Sequence, residues 1–421
     1  MASNSIEETY RARTPGSAEL LARARNSMPG GLTRNFGYFP PYPVIHQRGE
    51  GPYLWDVDGN RYVDLNYNGL SLIHGHAFPP VAEALARIAP HGWAWLGTSQ
   101  PQIEFAETLI GRIKTFERVL FTNSGTEAGM LAVKLARAFT HRSLILKPRG
   151  GYHGTSSDLE AGLHGQGEIP GHTLLAEFNE IDSIERALER HKGQIAAVML
   201  EPVMYTGVVM PALPGFLNRA QEAAHRHGAL FILDDCLMFR LALGGSAEKF
   251  GLAPDLTFLG KFMGGGMPAG AVGGRAEIMD MADPARGSEG LYHGGSFNGN
   301  VLASVAGRLT VEHLTKESID RMDAQADRLK TALEAKAKSL GVPLYVLNEG
   351  SVMGLYFTTT KPRPGSELPN PDLVDRFHLA CLNHGVQMGP GGMVSMATAI
   401  TDKALEEAKE GMSAALDEIA P

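Results

Sequence analysis

Lys261 follows an apolar run, Leu256-Thr257-Phe258-Leu259, and precedes the glycine-rich stretch Gly264-Gly265-Gly266-Met267-Pro268, where the chain has to turn tightly. A lysine at the end of a buried strand can be desolvated and so made nucleophilic towards a carbonyl; taken alone, a solvated strand-end lysine is the plainer reading. Three other segments offer chemistry that such an amine can use. Phe231-Ile232-Leu233-Asp234-Asp235 reads as a buried parallel strand ending in two carboxylates, where open α/β sheets place ligands, or else as a helix cap or solvated turn. Phe121-Thr122-Asn123-Ser124-Gly125-Thr126-Glu127-Ala128 leads into a segment of helix-forming composition. Its small hydroxyls and glycine expose backbone N–H groups to a dianion, and the helix dipole adds to the attraction, although an ordinary N-cap needs only one of them. Gly150-Gly151-Tyr152-His153-Gly154 carries a glycine-flanked aromatic that can lie over a planar ring or pack as a surface loop tyrosine.

Together the four segments supply an amine for an aldehyde, an acid for a ring nitrogen, a cup for a phosphate and an aromatic face, which is the set that pyridoxal 5′-phosphate requires. The chain resembles the fold-type I, class III aminotransferases, of the glutamate-1-semialdehyde aminomutase and β-amino-acid aminotransferase type. Besides the runs above, the resemblance is carried by Leu200-Glu201-Pro202, by Phe239-Arg240-Leu241-Ala242-Leu243-Gly244-Gly245 and by Pro254-Asp255 before Leu256, with Ala269-Gly270-Ala271 and Gly273-Gly274-Arg275 after the glycine-rich stretch. They stand in family order and cover the chain from about Met28-Pro29-Gly30-Gly31 to its end.

The resemblance implies a role for each matched residue. Lys261 would bond to the cofactor aldehyde and then shuttle the proton. Asp234 would pair with the pyridine nitrogen, Ser124, Gly125 and Thr126 would hold the phosphate, and Tyr152 would stack on the ring. Cys236 stands where the family has a valine beneath the ring and is small and apolar enough to pack similarly. Ser296 takes the place of a threonine that reaches the phosphate of the neighbouring subunit, which implies a homodimer with a shared active site. Arg34 and Glu201 are the substrate candidates: Arg34 falls close to where relatives clamp a substrate carboxylate, and a surface loop arginine is its other reading. Gly391 occupies the position at which some β-amino-acid relatives carry a further arginine. The interval from Asp234 to Arg240 matches the β-amino-acid branch, favouring an aminotransferase that moves the amine from a carboxylate-bearing amino acid to a keto acid. An intramolecular aminomutase or a racemase would use the same cofactor residues. A cofactor-free binding protein using Gly264-Gly265-Gly266 as a nucleotide loop is disfavoured, because the Gly-x-Gly-x-x-Gly spacing is missing.

Positioning these residues calls for an α/β fold. From about residue 79 to 309, strand-like runs such as 195–200 alternate with helical ones such as 216–227, implying a mostly parallel sheet covered by helices on both faces. The resemblance makes that sheet seven-stranded and adds a smaller α+β domain from both chain ends, giving boundaries of 1–75, 76–310 and 311–421. Residues 18–25 read as a helix, 53–64 as a hairpin turning at Asp58-Gly59-Asn60, 319–340 as an amphipathic segment, 352–357 as a strand and the chain from 402 as a last helix. At 421 residues the chain exceeds what one core holds. A net charge of −8 gives no footprint for nucleic acid or an anionic membrane, no stretch reads as a bilayer span, and no metal site is expected. Two cysteines, Cys236 and Cys381, cannot make a disulfide framework, so a cytoplasmic setting is the default.

Overall fold

The computed structural model describes residues 2–163, 171–204, 209–363 and 370–421. Two compact units make up the chain: residues 79–206 with 211–319, and residues 1–78 with 207–210 and 320–421.

In the first unit a seven-stranded sheet runs in the order Arg118–Thr122, Gly270–Gly274, Leu256–Leu259, Leu230–Asp234, Ile195–Leu200, Leu144–Pro148, Thr173–Ala176. Gly270–Gly274 is antiparallel to both of its neighbours, and the other pairings are parallel. All six residues of Ile195–Leu200 are buried, which is why that run is apolar throughout rather than alternating. Helix Gly125–Thr140 lays Ala128, Leu131, Ala132, Leu135 and Ala136 against this core at the 3-and-4 spacing of one helical face. Helix Phe216–Arg226 is the helical run expected over residues 216–227.

The second unit holds two smaller sheets. His46–Glu50, Tyr53–Asp56, Arg61–Asp64 and Val386–Gln387 form one; Tyr345–Glu349, Val352–Tyr356 and Met393–Ser395 form the other. The expected hairpin is Tyr53–Asp56 against Arg61–Asp64, and its turn is fastened by Asp56, whose Oδ1 accepts the N–H groups of Asp58 (3.0 Å) and Asn60 (2.8 Å). The helix expected over 18–25 is Pro15–Ala24, with proline in its first turn, and a helix Ala2–Arg13 that the sequence reading passed over precedes it. The amphipathic segment over 319–340 is the long helix Lys316–Leu340, and Asp402–Ile419 is the expected last helix. Among the described residues no helix is long and apolar enough to cross a membrane.

Candidate active site

Strand register brings the sequence motifs to one edge of the seven-stranded sheet. Leu233 pairs with Leu200, Asp234 with Phe258, Leu259 with Ala271 and Gly270 with Thr122. The residues that follow Thr122, Leu200 and Leu259, together with Asp234 itself, therefore emerge side by side at the carboxyl ends of the parallel strands. Lys261 stands two residues beyond Leu259, half-buried, with a φ of 53° that is uncommon for a residue with a β-carbon.

Asp234 is buried and held on both oxygens. Its Oδ1 accepts the Cys236 N–H at 3.0 Å, and its Oδ2 lies 2.8 Å from Nδ1 of His153. Burial pushes the His153 pKa down, opposed by the hydrogen bond and charge of Asp234. A neutral ring donates from Nδ1 to Oδ2, and the buried Nε2 has no hydrogen-bond partner among the described residues. Asp235 points elsewhere: its carboxyl takes the Ser246 backbone N–H (2.8 Å) and hydroxyl (2.5 Å), and burial pushes its pKa up to about 7.

Glu201 continues the neighbouring strand and accepts the Tyr152 N–H at 3.1 Å. Burial first, and then the charge of Asp234, hold its carboxyl well above the usual range, against the pull of the Tyr152 N–H, Lys261 and Lys147. The Tyr152 phenol is raised as well, by burial and then by Asp234 and Cys236, although its side chain remains partly exposed. The loop carrying Tyr152 and His153 is tied down from below by fully buried Lys147, whose Nζ donates to the carbonyls of Gly151 (2.7 Å), Leu159 (2.7 Å) and Ala161 (2.8 Å).

At the start of helix Gly125–Thr140, Ser124 is the N-cap and its hydroxyl accepts the Glu127 N–H at 3.1 Å. Glu127 returns the bond through the Asn123 N–H at 2.8 Å. Gly125 has a steric reason to be glycine, as has Gly260: a β-carbon on Gly260 would lie 3.0 Å from the Gly125 Cα and 3.2 Å from the Cys236 sulfur. Cys236 is thus wedged against both. Thr126 Oγ1 lies 3.4 Å from the Thr155 N–H, on the loop that follows Tyr152. Ser296 is exposed, on a loop fastened to the same chain where Asn123 Nδ2 donates to Asn298 Oδ1 at 2.9 Å.

Arg34 belongs to the other unit. It is exposed, and its Nη1 donates to Asn68 Oδ1 at 2.9 Å. No ion pair to Arg34 occurs among the described residues, so its charge meets a neutral amide. Asn68 sits in a left-handed turn in which Tyr67, Asn68, Gly69 and Leu70 have φ of 49°, 56°, 67° and 67°. Left-handed helical backbone costs about 1–2 kcal/mol for each residue with a β-carbon, so the surroundings have to hold the turn in place. Buried Asp64 supplies much of that hold: Oδ1 accepts the N–H groups of Asn66 (2.8 Å) and Tyr67 (3.0 Å), and Oδ2 meets His76 Nε2 at 2.7 Å.

A family model for class III aminotransferases matches residues 39–416. The chain belongs to that family. Its structure is similar to that of an ω-transaminase from Sphaerobacter thermophilus, at 33% identity over 96% of this chain and 98% of that one, with a TM-score of 0.91. A β-phenylalanine aminotransferase from Variovorax paradoxus is 31% identical over 98% and 97%, with a TM-score of 0.92. A glutamate-1-semialdehyde aminomutase from Pseudomonas aeruginosa PAO1 is 26% identical over 99% and 98%, with a TM-score of 0.91. The protein is therefore an enzyme of fold type I, an aminotransferase dependent on pyridoxal phosphate.

The residues at the sheet edge fit that cofactor. A helix N-terminus flanked by hydroxyls suits a phosphate, a lysine amine suits an aldehyde, and a buried acid braced by a histidine suits a cationic ring. Sequence reasoning missed His153 and Lys147 as contributors. His153 lay inside a motif already singled out, next to Tyr152, but its bond to a residue 81 positions away leaves no trace in spacing.

Proposed function

We propose that this aminotransferase takes its amine from a carboxylate-bearing amino acid, with a β-amino acid as the favoured class, and delivers it to a keto acid. The observation that carries the reading is the state of Arg34: a guanidinium anchored by a neutral amide keeps its full charge for a substrate carboxylate, and its planar fork suits bidentate binding. The greater identity to the ω-transaminase and the β-phenylalanine aminotransferase than to the aminomutase supports transfer between molecules.

In this reading Ser124, Gly125 and Thr126 bind the phosphate, and Tyr152 orients the ring from one side with Cys236 packed nearby. When bound, pyridoxal phosphate supplies the sink for the electrons released at the amine-bearing carbon. Asp234, braced by His153, keeps a proton on the ring nitrogen. Lys261 would take the proton from the amine-bearing carbon on its Nζ and return it to C4′ of the cofactor. Glu201, buried and held by the Tyr152 N–H, walls the substrate side with a carboxyl that resists ionisation.

The working unit proposed is a homodimer with Ser296 reaching the partner's phosphate. Large exposed apolar side chains support a second copy: Trp93, Trp95, Leu96, Tyr292 and Phe297 lie on two segments joined where Asn300 Nδ2 donates to the Trp93 carbonyl at 3.1 Å. A reducing, cytoplasmic compartment fits the two buried free cysteines.

The deciding measurement is kcat/KM for one β-amino acid and for its decarboxylated analogue, in the parent and in Arg34→Ala. Loss of a bidentate ion pair should cost the acid about 2–4 kcal/mol, through KM, and leave the amine nearly untouched. A parallel fall for both compounds would reopen the substrate class to simple amines. A panel of α-, β- and ω-amines, offered pyruvate or 2-oxoglutarate, tests the aminomutase alternative: isomerisation of one compound without transfer to any acceptor would favour it.

A further inference from the structure

Asn68 is exposed, yet both ends of its amide are committed. Its Nδ2 donates to Ser71 Oγ at 2.9 Å, and that hydroxyl donates back to the Asn68 carbonyl at 3.0 Å, which leaves Oδ1 turned to Arg34 at 2.9 Å. The backbone beneath is equally determined. Asn66 Oδ1 accepts the Gly69 N–H, the Leu70 N–H reaches the Asn66 carbonyl at 2.8 Å, and the Tyr67 ring stacks on His76 with centroids 5.8 Å apart. A strained left-handed turn, braced from below by Asp64, thus presents a single neutral acceptor to the one arginine assigned to substrate.

We propose that Asn68 is a positioning residue for donor selection, holding the Arg34 guanidinium in place without neutralising it. The inference rests on the reading of Arg34 as the carboxylate clamp. Asparagine suits the task on two grounds: it is among the few residues with a β-carbon that adopt left-handed backbone readily, and its amide oxygen accepts a hydrogen bond without carrying a charge. Aspartate would satisfy the backbone equally well but would occupy Arg34 with a competing carboxylate.

The test compares Asn68→Gly, Asn68→Asp, Arg34→Ala and the Asn68→Gly/Arg34→Ala double variant, with the ratio of kcat/KM for a β-amino acid to that for its decarboxylated analogue as readout. Glycine tolerates the positive φ, so the turn should survive, and an unchanged melting temperature checks this. Asn68→Gly should lower the ratio roughly tenfold through KM, as expected when one hydrogen bond to a charged group is lost. Asn68→Asp should lower it in the same direction, and the double variant should match Arg34→Ala alone. The inhibition constant of butanoate, which carries the carboxylate without the amine, should weaken in parallel. The inference is overturned if Asn68→Gly leaves the ratio intact while Arg34→Ala collapses it, if the two losses add in the double variant, if Asn68→Asp behaves as the parent, or if Asn68→Gly slows both substrates alike. Should Arg34→Ala itself spare the ratio, the clamp reading fails and takes this inference with it.

Discussion

The cluster around Asp234 and the turn around Asn68 are both dense in hydrogen bonds, and they are built in opposite ways. Asp234, His153, Glu201 and Lys147 are buried at the ends of parallel strands or in the loop above them, and they are satisfied largely by backbone groups and by one another. Arg34 and Asn68 are exposed, on short irregular segments, and meet through one hydrogen bond. A buried site fixes geometry and shifts pKa values, which suits chemistry that every donor must undergo. An exposed contact on a strained turn can change without disturbing a core, which suits the choice among donors.

The largest effect expected lies in the buried cluster. Lys261→Ala should lower turnover by about 10³-fold or more, since a positioned proton carrier contributes up to about 10⁴-fold, while circular dichroism and oligomeric state stay unchanged. Substantial residual transamination by the purified variant would remove Lys261 from the centre of the cluster and break the comparison.

Next come the two adjacent acids, which the structure sends to different partners. Asp234→Asn should cost on the order of 10²-fold in kcat, because a ring nitrogen that loses its proton is a poor electron sink. Asp235→Asn should cost about tenfold or less, because Asp235 faces Ser246 rather than His153. Equal or reversed losses, read from kcat at saturating donor, would place the ring partner one residue along.

The last effect concerns stability rather than turnover. Burial raises the Asp235 pKa from its ordinary 3.8 to about 7, so between those values the folded protein keeps a proton that the unfolded chain has released. The stability this group contributes is complete below pH 3.8 and is lost as pH rises through about 7. Asp235→Asn cannot ionise. The melting temperature of the variant, relative to the parent, should therefore climb from pH 4 to 7 and level off above; a flat difference would mean that the carboxyl ionises in the fold as freely as in water.

Much of the buried cluster was legible because it follows strands. Leu256 to Leu259 and Phe231 to Leu233 are apolar runs of strand length, and the chemistry falls at their carboxyl ends. The helix after Ser124 was legible from its composition and from the hydroxyls and glycine at its start, where Ser124 proves to be the cap. The bond from His153 to Asp234 was not, since side-chain direction in a loop is set by what the loop rests on, here the Lys147 amine. The left-handed turn at Tyr67 to Leu70 was not legible either. Of its four residues only Gly69 prefers that backbone and Asn68 tolerates it, so local propensity argues against it.

By itself, then, the sequence determined the α/β alternation, the strand ends that carry Asp234 and Lys261, and the kinship with class III aminotransferases, because hydrophobic period and short motifs are local properties. Only the tertiary structure decided that Asp234 meets His153 while Asp235 meets Ser246, that Glu201 is held by the Tyr152 N–H, and that Arg34 rests on an uncharged partner. Those outcomes depend on contacts between residues 11 to 81 positions apart, whose cost or gain is set by burial and by register between strands, neither of which is written at any one position.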